Sequence, residues 1–408
     1  MFASNDTPLG GCPWYLKILS PCFLSSLWRI KLRTDRRRIP FLWHSNERCN
    51  MAAAASTDRD RFSALDGLRG LAALTVVVSH SANVGYLPSF LGNGLGQMGV
   101  VLFFGLSGFL MAHLHFRSKP NVIAIRRYAI HRASRVLPLF YAIVATAAIL
   151  LVVMGSGFYG IDSLEIALLH IILVHGTGVL WTVPVECQFY AIFVIFWAAK
   201  YNDRLWTAVA IACVVQAFLC AIYYVHDPKV APDTLVSWFQ FFVAGMLLGS
   251  FYSRIGRYLD QRDARTALAP IAWFLVLAVI VVPPEVRRMM SLPIFPNFVD
   301  PVTAGYPIIL LFFTIYGIGP FANLSIPILR WYGRISYSLY LLHVLVIDAI
   351  RKLVEWGFLP HPLGFPFILA VSTAVAACSF HFLERPMQTR IRSALEGHGS
   401  ERQRQIAS

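Results

Sequence analysis

The chain has 408 residues, a net charge of +14, 57% hydrophobic residues and only 14% charged ones, with a mean hydropathy of +0.60. Soluble domains hold roughly 45–50% apolar residues, and a soluble core does not supply so many separate apolar runs of spanning length, so the composition points to a polytopic membrane protein. Lys and Arg fall between those runs, which suits positive-inside topology and attraction to anionic lipid head groups. No basic recognition helix or zinc-finger spacing points to nucleic acid.

Residues 1–60 read as an N-terminal extension. The mostly apolar stretch Trp14–Trp28 precedes its charges, IKLRTDRRR, instead of following them, and is short for a span. Met51 then opens the polar lead-in MAAAASTDRDRF. A mis-called start or a disordered, membrane-skimming arm both fit this pattern. The seven cysteines, Cys12, Cys22, Cys49, Cys187, Cys213, Cys220 and Cys378, show no CxxC and no ligand-like cluster, so neither a disulfide framework nor a metal site is expected.

From residue 61 to 386 the apolar runs predict an all-α, polytopic transmembrane helical bundle of about ten spanning helices. They lie near 64–83, 97–115, 136–155, 181–199, 205–225, 235–253, 267–283, 303–320, 335–354 and 362–383. Leu164–Val174 is too short to cross and reads as re-entrant or interfacial. A polar cytoplasmic tail follows at 387–408. With ten spans, one side collects Arg117, Lys119, Arg126, Arg127, Arg132, Arg135, Lys200, Arg204, Arg254, Arg257, Arg262, Arg265, Arg330, Arg334, Arg385 and Arg390. Both termini are therefore expected in the cytoplasm, with Arg287 and Arg288 as the main exceptions to the pattern.

The first apolar run, RFSALDGLRGLAALTVVVSHS, keeps Asp66, Arg69 and His80. Ionisable groups inside an apolar helix usually face a protein interior. Asp66 is one turn before Arg69, within ion-pair reach. The step from Arg69 to His80 is roughly three turns, about 16 Å, which sets both on nearly one face with His80 towards the outer side. In the second run, MGVVLFFGLSGFLMAHLHF, the small residues Gly99, Gly105, Ser107 and Gly108 permit close helix packing. Ser107 is a weak nucleophile candidate, having no base beside it in sequence.

In AIRRYAIHRASRVLPLFY, Arg132 and Arg135 share a helix face. Paired guanidiniums bind phosphate well, although a positive-inside anchor would use the same residues. Glu186, in LWTVPVECQFY, is the only acid of its helix and is suited to orienting a His or binding acceptor hydroxyls. YGRISYSLYLLHVLVI adds Ser336, Tyr337, Ser338, Tyr340 and the second intramembrane histidine, His343, which reads equally as a core histidine. HFLERP sets Glu384 and Arg385 at the last helix exit, a structural pair.

In this order, ALDGLRGLAALTVVVSH with its Arg-x(10)-His spacing, GVVLFFGLSGFL, the Arg132-x-x-Arg135 pair, LWTVPVECQFY, YGRISYSLYLLH and HFLERP resemble the acyltransferase-3 family of integral membrane acyltransferases, of the bacterial surface-glycan O-acetyltransferase type. The resemblance covers about Arg61 to Pro386. Two positions depart from the family: Cys187 stands where a second acid is common and Pro184 replaces a small polar residue, which weakens any two-carboxylate scheme.

The resemblance implies transfer of an acyl group, often acetyl, from cytoplasmic acyl-CoA as co-substrate to a hydroxyl of a cell-surface or exported carbohydrate, or a lipid-linked glycan. It implies catalytic roles for His80 and Glu186, nucleotide-phosphate contacts for Arg69, Arg132 and Arg135, support from Asp66, Ser107, Tyr337 and His343, no metal, and the bacterial inner membrane as location. Family members can carry an appended extracytoplasmic domain. The chain after Pro386 has no room for one, so a standalone transferase or one relying on a partner is expected. A proton-coupled secondary transporter is the alternative, since intramembrane His, Arg and Glu also mark proton relays, but no internal repeat is visible. A non-catalytic membrane scaffold is the third class. Acceptor sugar and oligomeric state are not readable from the residues.

Overall fold

In the computed structural model, the described residues (63–92, 94–226, 233–279, 281–293 and 300–407) are helices joined by loops, with no strand among them. The N-terminal extension at 1–60 lies outside the described residues. We number the helices α1 (63–83), α2 (Leu95–His115), α3 (Val122–Met154), α4 (Leu164–Ile171), α5 (Thr182–Tyr201), α6 (Leu205–His226) and α7 (Leu235–Gln261). There follow α8 (Ala264–Ala278), α9 (Pro284–Met289), α10 (Pro301–Tyr316), α11 (Pro327–Glu355), α12 (Gly364–Ser379) and α13 (Arg385–Ala407).

Each of the ten expected segments coincides with a helix over most of its length, 267–283 ending early at Ala278 and 303–320 at Tyr316, but the count of ten spans is not reached on length and hydropathy. Among the described residues six helices are long and apolar enough to cross a membrane, or seven if α10 and the turn that follows it, bent by 72°, form one broken span. The others fall short for visible reasons. Helix α8 has 15 residues; α1 carries Asp66, Arg69 and His80; α11 carries Arg330, Arg334, Asp348, Arg351 and Lys352.

Helix α3 differs from the expected 136–155. Asn121 caps it early, its side chain accepting from the Ala124 amide at 2.8 Å, and the helix runs 33 residues to a left-handed cap at Gly155. At 1.5 Å per residue that is about 50 Å, against a hydrocarbon core of about 30 Å. The basic stretch Arg126–Arg135, which precedes the expected span, therefore belongs to the first half of the helix. Pro138 sits within it without ending it. The polar tail is also helical: α13 lies along this basic half, with Arg126 donating to the Leu395 carbonyl at 2.7 Å and Arg392 to Ser134 Oγ at 3.2 Å.

Two glycine contacts set the bundle. A Cβ at Gly333 of α11 would collide with the Asp66 carbonyl of α1, and one at Gly70 with the backbone of Leu329 and Gly333, so α1 and α11 touch backbone to backbone. Helices α2 and α7 do the same, where a Cβ at Gly108 would strike the Phe242 carbonyl and one at Gly245 the Gly105 backbone. This is the small-residue packing that membrane helices use. Stacked Phe104, Phe242 and Phe189, with centroids 4.4 and 4.2 Å apart, fill the core between α2, α7 and α5.

The exceptional arginines of the 284–300 region are both paired. Arg287 is buried against Asp300 and Thr303, and Arg288 pairs with Glu285.

Candidate active site

Five helices converge on a cavity of about 690 Å3, part of it continuous with solvent. Helix α1 contributes Arg69, α2 Ser107, α3 Arg132 and Arg135, α5 Thr182 and Glu186, and α11 Ser336, Tyr337 and Tyr340. Val100, Phe103, Phe104, Leu106 and Leu110 of α2 form an apolar wall. Residues spread over more than 270 positions of sequence thus share one pocket.

Arg69 is 13% exposed and pairs with Asp66 at 2.7 Å, the i,i+3 contact expected from the sequence. Arg132 lies over the Tyr190 ring, 5.4 Å from its centroid, a cation–π contact. Among the described residues no carboxylate comes within ion-pair distance of Arg132 or Arg135. Three guanidiniums therefore face one pocket whose own acid is Glu186, with Asp66 already engaged by Arg69. Such a surplus of forked donors suits a polyanionic group.

Glu186, suited by its sequence context to orienting a histidine or binding acceptor hydroxyls, lies in the arginine pocket. Its Oε1 accepts from Ser107 Oγ at 2.8 Å and from Tyr190 Oη at 2.5 Å, and no hydrogen bond joins it to His80 or His343. Ser107, read as a packing residue, supplies a polar contact as well. Tyr337 Oη donates to the Val136 carbonyl at 2.5 Å, tying α11 to α3.

The histidines stand together, next to the pocket and not in its lining. The His80 and His343 rings are 5.0 Å apart at 83°, and the Tyr340 ring, part of the pocket wall, is 6.1 Å from that of His343. Glu384 is buried and accepts from Ser338 Oγ at 2.9 Å; among the described residues it makes no ion pair with Arg385. Tyr190 and Tyr340 were not singled out as site residues by sequence reasoning. Tyr190 had a usable signal, lying four residues after Glu186 and so on the same helix face; Tyr340 had none beyond its place in the motif.

Helices of spanning length around a pocket lined by charged and polar side chains define an integral membrane protein whose candidate site lies inside its bundle. A family model described as an acyltransferase domain matches residues 62–381, and the chain belongs to this acyltransferase-3 family. The transporter reading is not favoured by that membership.

Over 366 residues the chain is 23% identical to "Peptidoglycan O-acetyltransferase OatA" of Listeria monocytogenes, covering 79% of this chain and 55% of the relative. Over 367 residues it is 26% identical to "Putative peptidoglycan O-acetyltransferase YrhL" of Bacillus subtilis, covering 80% and 55%. The chain thus spans about half the length of these relatives. No solved structure matches it.

Proposed function

We propose that this protein is a membrane O-acetyltransferase that moves an acetyl group from cytoplasmic acetyl-CoA to a hydroxyl of a cell-surface or exported glycan. The relatives' names point to peptidoglycan as the acceptor. One observation carries the reading: Arg69, Arg132 and Arg135 gather in one pocket at the end of the basic half of α3.

The donor enters from the cytoplasmic side, with its phosphates on Arg132 and Arg135 and Arg69 further in. Its acyl end runs along α1 towards His80. His80 removes the proton of the acceptor hydroxyl, the oxygen attacks the thioester carbonyl, and CoA leaves as the thiol. Glu186, held by Ser107 and Tyr190, supplies the negative charge of the same pocket. The protein resides in the bacterial inner membrane with both termini in the cytoplasm. Helices α1, α8, α10 and α11 cross as well, with Arg69 and His343 turned into the bundle.

The test is direct. Full-length protein in detergent is given acetyl-CoA and soluble peptidoglycan fragments, and thiol release and acetylated glycan are followed by absorbance and mass spectrometry. Glycan-dependent thiol release is expected. An acetyl-CoA pool left intact by correctly folded protein, with peptidoglycan and other glycans alike, would sink the reading.

A further inference from the structure

His343 carries a feature that a core histidine does not need. Its side chain is fully buried on α11. Nδ1 lies 2.8 Å from the Tyr340 carbonyl oxygen and 3.1 Å from that of Leu339. A carbonyl oxygen only accepts, so Nδ1 holds the ring's proton and Nε2 presents a bare lone pair. That Nε2 is buried and has no hydrogen-bond partner. Buried acceptors are nearly always satisfied in native folds, and an orphan asks for a reason.

The ring facing it is His80. The two ring centroids are 5.0 Å apart with the rings at 83°, within reach of one N–H···N bond of about 2.9 Å, which forms when a His80 nitrogen turns to face Nε2. The placement follows from the backbone. Helices α1 and α11 touch at Gly70 and Gly333, and ten residues further along each comes His80 and His343. Equal rise on two helices running the same way keeps the rings level. The pocket's acid does not compete for His80, because Glu186 is bonded by Ser107 and Tyr190.

From this geometry we infer that His343 is a positioning residue for His80, accepting the His80 N–H at Nε2. It is the neutral counterpart of the carboxylate that orients the histidine of a catalytic triad. This rests on the reading of His80 as the base. With one His80 nitrogen tied to His343, the other is left as the lone pair that meets the acceptor hydroxyl. The acceptor proton passes to that nitrogen as the oxygen–carbon bond forms. The carbon–sulfur bond breaks, and the proton leaves His80 with the CoA thiolate. His343 exchanges no atoms; it selects the His80 tautomer and shares the charge of the transient imidazolium.

The experiment compares His343→Leu, which cannot accept, with His343→Gln, whose carbonyl can, in full-length protein in detergent. His343→Leu is expected to lose at least tenfold in kcat with an unchanged KM for acetyl-CoA, and His343→Gln to recover most of the loss. Nitrogen-15 spectra of labelled histidine, with His80 identified by difference from His80→Ala, should show one His80 tautomer in the wild type and the Gln variant and a mixture in the Leu variant. Wild-type kcat in His343→Leu beside an inactive His80→Ala overturns the inference and leaves the base assignment standing. Activity in His80→Ala removes both. Where the Leu variant does not accumulate, the wild-type spectrum decides, and a His80 ring exchanging freely between tautomers overturns the inference.

Discussion

Ser107 Oγ donates to Glu186 Oε1 at 2.8 Å, joining α2 to α5 in the wall of the arginine pocket. The bond gives Ser107 a structural duty, because it and Tyr190 hold the carboxylate that lines the pocket with Arg69, Arg132 and Arg135. Ser107→Ala should cost about 1 kcal/mol of stability and keep transfer within a few-fold. Glu186→Gln keeps the acceptor for both hydroxyls but removes the charge, and should cut turnover at least tenfold. Thermal melts and transfer rates check both. An acyl adduct trapped on Ser107 and seen by mass spectrometry would contradict the first expectation.

Arg132 and Arg135 should govern donor binding. Charge-assisted hydrogen bonds contribute about 1.5–3 kcal/mol each, so replacing both by Gln should raise the KM for acetyl-CoA at least tenfold. Lys at both positions should restore part of it, since ammonium lacks the forked geometry. Initial-rate kinetics at fixed glycan decide. An unchanged KM in the double Gln variant would reduce the pair to topology anchors.

Arg69 and His80 lie on one helix but should fail differently. His80→Ala should bind the donor normally and lose about 10²–10⁴ in kcat, the usual contribution of general-base help. Arg69→Ala, which also frees Asp66, should weaken donor binding. Donor affinity and product formation, with thermal stability as the control, separate the two.

Asp300 should give the fold an acid-sensitive point. Burial pushes its carboxyl up, but hydrogen bonds from Arg287, Thr303 and the Val302 amide, with the Arg287 charge, outweigh it and hold the group below its usual value. A lowered folded pKa means that the stabilisation is present above the unfolded value of about 3.9 and is lost as pH falls through the folded one. Asp300→Asn leaves Arg287 buried without its counter-charge, which typically costs about 3–5 kcal/mol. Melting temperatures from pH 7 down to 3 should fall more steeply in the wild type than in the Asn variant once pH drops below about 4.

Helix α8 is the shortest of the proposed crossings, and reporter fusions test it. A reporter after Arg265 should be cytoplasmic and one after Met290 extracytoplasmic. The same side for both would show that α8 does not cross.

Much of the site was legible because the informative signal is local. An Arg, a His or a Glu inside an apolar helix stands out against a background that excludes charge. Asp66 and Arg69, one turn apart, could be paired on helix geometry alone, as could the shared face of Arg132 and Arg135. The early start of α3 was hidden because its first half is polar, and hydropathy marks where a helix meets lipid rather than where its backbone hydrogen bonds begin. The cap at Asn121 was the available sign.

Residue chemistry and spacing therefore determined an all-helical membrane protein, the helices that bear its ionisable groups, and the order of its motifs. Which groups meet was decided only by the tertiary structure. Glu186 faces Ser107 and the arginines and not a histidine, because Gly108 and Gly245 let α2 and α7 close together while α5 packs beside them through Phe189 and Phe242. His80 meets His343 because Gly70 and Gly333 bring two helices, more than 250 residues apart in sequence, into backbone contact. Periodicity assigns a side chain to a face of its own helix. The neighbour across that face is chosen by shape, where a missing Cβ lets two backbones touch.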